Sequence, residues 1–159
     1  KVIGTVGSDE KINLAKKYGC DEIINYTKED FAKKVMEITN GKGVPVVYDG
    51  VGKATLQKSL ECLKTRGMMV SFGNASGAID PINVPKMLQP KGLFFVRPSM
   101  GQYLSTNEEK NEAAEALFEK IIAGTIKIEI FKKYKLEDIK QAHIDLESRK
   151  ILGPAILIP

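Results

Sequence analysis

Residues 44–73 read VPVVYDGVGKATLQKSLECLKTRGMMVSFG, and the order of residue types in this stretch decides the fold. Residues 44–48 are an apolar, largely β-branched run that ends in Asp49-Gly50-Val51-Gly52. Ala54, Leu56, Leu60 and Leu63 then recur at helical spacing, and Arg66-Gly67 closes that segment. Residues 68–72 are a second apolar run, ended by Gly73. Strand, turn, helix and strand make one crossover unit. Strands that are apolar throughout, rather than alternating, are those covered on both faces in a parallel sheet.

The same unit repeats on either side. Residues 2–6 form an apolar run ended by Gly7. Ser8 stands where an N-cap belongs, Asp9 and Glu10 suit the first turn, and Ile12, Leu14, Ala15 and Tyr18 make a helical stripe that Gly19 stops. Residues 22–25 read as a strand, and Thr27 is placed to cap a helix carrying Phe31, Val35, Met36 and Ile38. Beyond Gly73, a loop rich in Gly, Ser, Asn and Pro runs to about Pro90, and residues 93–97 form a fifth strand cut off by Pro98. A helix over 108–123 ends at Gly124. The strand centres fall near 4, 23, 46, 70 and 95. That spacing of about 19 to 25 residues predicts an α/β fold with a doubly wound parallel sheet. After Gly124 the rhythm changes: Ile126, Ile128 and Ile130 alternate with Lys127 and Glu129, a helix is expected over 136–148, and a short strand over 155–158. The expected division is therefore 1–123 and 124–159.

The 159 residues suit one domain with a proper core. The 24 basic and 20 acidic residues leave a net charge of +4, and only three of the basic residues are Arg. Lysine spread this evenly is a solvated surface rather than a nucleic-acid footprint. An apolar fraction of 43% excludes a disordered chain. The longest apolar runs, 92–96 and 155–158, fall far short of the ~20 residues of a membrane span. No basic start with a following apolar stretch marks a signal peptide. Cys20 and Cys62 lie 42 positions apart without a Cys-x-x-Cys, which excludes a disulfide framework or a Cys-rich zinc site within the chain. No metal is expected, and cytoplasm is the default compartment. Lys1 opens directly onto a β-type run with no initiator Met, so a piece of a longer protein is expected.

Doubly wound sheets bind ligands at the carboxyl ends of their strands. Those ends are Gly7-Ser8, Asn25-Tyr26, residues 49–52, Phe72-Gly73-Asn74 and Pro98-Ser99-Met100. All are small, polar or glycine-containing, as close backbone approach to a ligand requires. Gly50-Val51-Gly52-Lys53-Ala54-Thr55 matches neither Gly-x-Gly-x-x-Gly nor the phosphate-loop pattern, so a plain strand-to-helix turn and a close pass to a cofactor both fit. Residues 7–11 say more. A NAD site places an acid at this strand end to grip the ribose 2′-hydroxyl. Here Gly7 and Ser8 stand at the tip, Asp9 follows, and Lys11 adds a cation beside the N–H groups of a helix start. With Tyr26 at the next strand end, the set suits the 2′-phosphate of NADP. A solvated Lys and a half-buried Tyr fit equally well. His143, the only histidine, reads as a packed or surface residue, and Arg149 as a cation complementing a helix end.

These residues carry a resemblance. The chain resembles the NADPH-dependent quinone oxidoreductases of the zinc-independent, ζ-crystallin-like branch of the medium-chain dehydrogenases/reductases. The matching stretches are Gly4-Thr-Val-Gly-Ser, residues 16–26 ending Gly-Cys-Asp-Glu-Ile-Ile-Asn-Tyr, Val46-Val-Tyr-Asp-Gly-Val-Gly52, Gly67-Met-Met-Val-Ser-Phe-Gly-Asn74, Arg97-Pro-Ser99 and Leu146-Glu-Ser-Arg149. The resemblance implies the C-terminal, NADP-binding half of such an enzyme. Its catalytic domain, first Rossmann strand and glycine-rich turn would lie outside this sequence, and residues from about 124 would return to the catalytic domain. It implies that residues 7–11 surround the adenosine ribose phosphate, with Lys11 and Tyr26 on the 2′-phosphate. Val51 would lie along the cofactor, and Phe72, Gly73, Asn74 and Ala75 on the nicotinamide ribose side; many relatives carry Ser at the place of Ala75. Pro98, Ser99 and Met100 would present backbone to the carboxamide, Arg149 would reach a cofactor phosphate, and His143 would be packing. It further implies direct hydride transfer from NADPH to a quinone, and a homodimer through the strand at Leu93 to Arg97. Two alternatives stay open: another medium-chain reductase, acting on an enoyl, alkenal or alcohol substrate, and a nucleotide-binding or dimerisation piece without catalysis.

Overall fold

A computed structural model of the chain describes residues 1–148 and 151–159. It divides into two compact units, Lys1–Tyr103 and Leu104–Pro159. In the first unit β1 (Ile3–Val6), α1 (Glu10–Lys17), β2 (Glu22–Asn25), α2 (Phe31–Ile38), β3 (Val44–Asp49), α3 (Leu56–Glu61) and β4 (Leu63–Ser71) follow in strict alternation. α4 (Val84–Met87), a 3₁₀ turn over Gln89–Lys91, β5 (Phe94–Val96) and α5 (Met100–Tyr103) complete it. The loop expected up to Pro90 thus contains a short helix, capped by Asn83, whose Oδ1 accepts from the Lys86 N–H at 3.1 Å.

Among the described residues all strand pairs are parallel, as the apolar runs of the first unit predict for β1 to β5. β1 pairs with β2, while β3, β4 and β5 form a second ladder in that order. No ladder joins β1 to β3. Instead a slot of about 550 Å³ lies there, lined by residues 1–5 and 44–51 and by Phe31, Val35 and Cys62 among others. Helices tie the two ladders together. Ile24, Phe31, Ala32, Val35 and Cys62 form one buried cluster, with Val44 and Val47 packed against it. Lys58 of α3 reaches the Asp30 carboxylate at the start of α2 at 3.0 Å. A second cluster, Leu56, Leu60, Leu63 and Met69, sits under Met87, Leu93 and Phe95. Burial pushes the Cys62 thiol up to about 11, with the neighbouring Glu61 charge adding to it, so this cysteine is inert packing.

Three local expectations are corrected. The N-cap of α1 is Asp9 rather than Ser8, and Asp9 makes no side-chain cap bond because its carboxylate is engaged elsewhere. Asp30, not Thr27, caps α2, accepting from the N–H groups of Ala32 and Lys33 at 3.0 and 3.2 Å. Thr27 is occupied by Asn25, to whose Oδ1 its hydroxyl donates at 2.7 Å. The helix expected through Leu63 stops at Glu61, because Leu63 pairs with Val44 in the ladder. The register then shifts: Val46 pairs with Met68, leaving residues 64–67 opposite Pro45, which has no N–H to donate. Arg66 takes φ 59° there.

The second unit opens with α6 (Asn107–Ile122), started by a capping box between Thr106 and Glu109. Residues 126–130 form no strand despite their alternation. β6 (Lys132–Lys135) follows, then a 3₁₀ turn over Leu136–Asp138, α7 (Ile139–Glu147) and β7 (Ala155–Ile158), which pairs with β6. Asp145, buried on α7, accepts from Lys132 Nζ, Tyr134 Oη and Gln141 Nε2, each at 2.8 Å. The Lys132 hydrogen bond first, then those of Tyr134 and Gln141, hold its carboxyl far below the ordinary range. This triply bonded acid ties β6 to α7.

Candidate functional site

The ends of β1 and β2 are brought together as the sequence implies. Tyr26 N–H donates to the Val6 carbonyl at 3.1 Å. The Tyr26 phenol lies against Gly7, where any Cβ would stand 2.7 Å from Tyr26 Oη, so only glycine admits the ring here. Ser8 accepts the Lys11 N–H at 3.2 Å in the first turn of α1. Among the described residues the Lys11 ammonium has no hydrogen-bond or ion-pair partner. Asp9, by contrast, is fully engaged: Asn25 Nδ2 donates to Oδ1 at 2.7 Å, and Lys28 Nζ pairs with Oδ2. Hydrogen bonds from Lys28, then Asn25, hold the Asp9 carboxyl below the ordinary range against a smaller push from burial.

At the end of β3 the buried Asp49 carboxylate organises everything around it. Oδ1 accepts from the N–H groups of Val51 and Gly52 at 2.8 and 2.9 Å. Oδ2 accepts from the Thr55 and Ser59 hydroxyls at 2.7 and 2.8 Å. Burial alone would push this carboxyl up. The four hydrogen bonds together outweigh it and hold the group below the ordinary carboxylate range. The turn at 50–52 is thereby closed, and the start of α3 is bound to it.

Residues 72–77 pack directly on that turn. Ala75 N–H donates to Gly50 O at 3.2 Å, and Ser76 N–H to Val51 O at 2.8 Å. The Ser76 hydroxyl donates to Val51 O at 2.7 Å and accepts the Ala54 N–H at 2.9 Å. A Cβ on Gly73 would stand 2.3 Å from the Gly50 carbonyl oxygen, and one on Gly52, at φ +89°, 2.9 Å from that of Gly77. Phe72 covers Gly50. Arg97, at the end of β5, donates to Ser71 Oγ at 3.2 Å and to Gly73 O at 3.1 Å, binding this strand end to the previous one. Pro98 and Ser99 then lead into α5, which Met100 opens with its side chain exposed.

The candidate residues therefore fall into two groups. Gly7, Ser8, Lys11 and Tyr26 stand at the ends of β1 and β2. Val51, Phe72, Gly73, Asn74, Ala75, Pro98, Ser99 and Met100 stand at the ends of β3, β4 and β5. The slot runs between the two ladders. Arg149 lies outside the described residues. His143 is exposed on α7, not packed. The sequence reading missed Asn25, Lys28, Asp49, Ser76 and Arg97 as positioning groups. Only Asp49, an acid directly before Gly at an apolar strand end, carried a local signal for such a role.

The family described as zinc-binding dehydrogenase matches residues 1–119. Quinone oxidoreductase 1 of Escherichia coli (strain K12) is 47% identical over 161 residues, covering 100% of this chain and 49% of that protein. The 2-haloacrylate reductase of Burkholderia sp is 45% identical over 159 residues, covering 99% of this chain and 48% of that protein. The crystal structure of E. coli quinone oxidoreductase complexed with NADPH superposes with a TM-score of 0.94 at 46% identity, covering 100% of this chain and 49% of that one. The chain thus spans about half the length of the relatives it matches. Among the described residues no group of three or more His, Cys, Asp or Glu is placed to hold a metal ion, so zinc finds no ligand set on them.

Removing the Asp49 carboxylate leaves the Val51 and Gly52 N–H groups and two buried hydroxyls without their acceptor. Asp49→Ala is expected to cost about 2–4 kcal/mol at neutral pH, measured by urea denaturation. A carboxyl depressed in the folded state stabilises fully above its unfolded value of about 3.9, and that contribution is lost as pH falls through the folded value. The gap between variant and wild type should therefore narrow below about pH 4.

Proposed function

We propose that this chain, which belongs to the zinc-binding dehydrogenase family, is the NADPH-binding half of an oxidoreductase that passes hydride from NADPH to a quinone. The observation that carries the cofactor is the end of β1. Of the two acids that follow it, Asp9 and Glu10, Asp9 is the nearer to the strand tip and is neutralised by Lys28 and Asn25, while the Lys11 ammonium has no partner among the described residues. That is the charge arrangement a 2′-phosphate needs, and the opposite of a ribose-gripping carboxylate. Tyr26, seated on Gly7, supplies a hydroxyl and ring face at the same place. Support for the rest comes from the glycine contacts of 50–52 with 73–77, which bring the ends of β3 and β4 backbone to backbone beside Val51.

When bound, the cofactor supplies the hydride at nicotinamide C4. The chain's own residues bind and orient it. Gly7, Ser8, Lys11 and Tyr26 hold the adenosine ribose phosphate. Val51, Phe72, Gly73, Asn74 and Ala75 line its course, and the backbone of Pro98, Ser99 and Met100 meets the carboxamide. We assign Arg149 a cofactor phosphate. Asp49, Ser76 and Arg97 hold these segments in place without touching the cofactor. No proton-transfer pair is required of this half; orientation and exclusion of water are its contribution.

β1 and β3 each pair on one side only, and the slot between them has the character of a vacant strand position. We place there a strand from the other half of the parent protein, followed by a glycine-rich turn that would hold the pyrophosphate. Residues 124–159 would return to that other half. Among the described residues no helix is long and apolar enough to cross a membrane, and we place the protein in the cytoplasm. A second reading, reduction of an α,β-unsaturated acid, is favoured by the near-equal likeness to the haloacrylate reductase. The substrate pocket of the absent half separates the two.

Three outcomes are expected. In the full-length protein, Lys11→Ala should raise the NADPH Michaelis constant by about 10- to 100-fold, the equivalent of a charge-assisted phosphate contact, and leave that for NADH nearly unchanged; equal losses would sink the cofactor assignment. The edge strand β5, with Phe94 58% exposed and β4 on one side only, should carry a homodimer, and a monomer by light scattering at high micromolar concentration would count against it. The 159-residue chain alone should bind NADPH weakly by calorimetry and not turn over a benzoquinone, because one wall of the shielded cleft is absent.

A further inference from the structure

We propose that Lys28 and Asn25 form a clamp that determines nucleotide specificity by holding the Asp9 carboxylate neutralised beside the 2′-phosphate position. The proposal rests on the NADPH reading above and deepens it, giving Asn25 and Lys28, which touch no cofactor there, a role in specificity. Asp9 lies two residues from Gly7 and two from Lys11, in the segment that would surround the ribose. Left unpaired, its carboxylate would repel a phosphate dianion and offer an acceptor to a ribose hydroxyl. It would then favour the nucleotide that lacks the phosphate.

The geometry prevents this at both oxygens. The Asn25 side chain is 4% exposed, and its orientation is decided by its other partner. The Thr27 N–H, a donor only, points at one Asn25 side-chain atom at 3.0 Å, so that atom must be Oδ1. The Thr27 hydroxyl adds a second bond to it at 2.7 Å. Nδ2 is therefore left to face Asp9, and donates to Oδ1 at 2.7 Å. The turn after β2 supplies the cation. Lys28 and Glu29 N–H groups donate to the Asn25 carbonyl at 3.1 and 3.0 Å, which folds the chain back so that Lys28 Nζ pairs with Asp9 Oδ2. One turn, anchored on Asn25, thus neutralises Asp9 and leaves Lys11 without an ion-pair partner among the described residues, with Glu10 the other acid of the segment. The two side chains of the ion pair are 63% and 56% exposed, so neither is needed for the core, and the pair weakens with salt.

The test is calorimetric titration of the full-length protein, at low ionic strength, with adenosine 2′,5′-bisphosphate, and with 5′-AMP as the control lacking the 2′-phosphate. Lys28→Ala should weaken the bisphosphate about three- to tenfold and leave 5′-AMP within twofold, while Lys28→Arg should bind as wild type. Adding Asp9→Asn to Lys28→Ala should restore bisphosphate affinity to within twofold of wild type, because the freed carboxylate is then gone. A double variant as weak as Lys28→Ala would make Lys28 a direct phosphate ligand and overturn the clamp. So would a Lys28→Ala variant that binds the bisphosphate unchanged. Failure of the underlying reading looks different: wild type would bind the bisphosphate no more tightly than 5′-AMP, and clamp and cofactor assignment would fall together.

Discussion

A buried carboxylate with four hydrogen-bond donors on its two oxygens governs the end of β3 and the turn that follows it. Asp49 takes two backbone N–H groups and two hydroxyls, from Val51, Gly52, Thr55 and Ser59. A charge out of water is costly unless so satisfied. The chain meets that requirement with groups from the turn and the helix that follow it, so the charge fixes where β3 ends, how sharply the chain turns and where α3 begins. The next strand end is then fitted to the turn: Gly73 meets Gly50 with no room for a methyl group, and Ser76 closes over Val51. Arg97 passes the constraint on to the end of β5. Three strand ends are thus locked to one another by polar contacts.

Acids recur in the same capacity elsewhere. Asp30 caps α2 while receiving Lys58 of α3, and Asp145 joins β6 to α7 through three donors. Asp9 differs. It too has both oxygens engaged, but it stands in the open, at the end of β1. Of its partners, Asn25 is buried and anchors the turn after β2, while Lys28 is exposed and acts on the local charge. A site that discriminates by one phosphate depends on what is kept away from the phosphate as well as on what touches it.

The slot between β1 and β3 leaves both ladders of the first unit with an open edge. Two parallel ladders share one helical cluster around Phe31, Val35 and Cys62, yet each presents an unpaired strand edge. Val46 and Tyr48 of β3 are correspondingly exposed, Tyr48 at 74%. Apolar residues at a strand edge of this kind are normally covered.

Much of this was legible in the residues alone. Continuous apolar runs at regular spacing determined parallel strands with crossover helices, because only burial on both faces permits such runs. Glycines marked the strand ends, since Gly7, Gly50 and Gly73 stand where a Cβ would strike a neighbour. Family likeness supplied the candidate residues, and the structure gathers those it describes at two groups of strand ends. What the residues did not declare was which polar side chain answers which. Ser8 and Thr27 are sound caps by type, but Asp30 takes the α2 cap because Asn25 has already engaged Thr27. β6, with three lysines in Lys132–Lys135, has no strand signature and exists because β7 lies beside it, while the alternating stretch at 126–130 has no such partner and forms none. Pattern along the chain determines which face of an element is buried. Short polar side chains and edge strands have several partners of similar energy in reach, and only the packed tertiary structure decides between them.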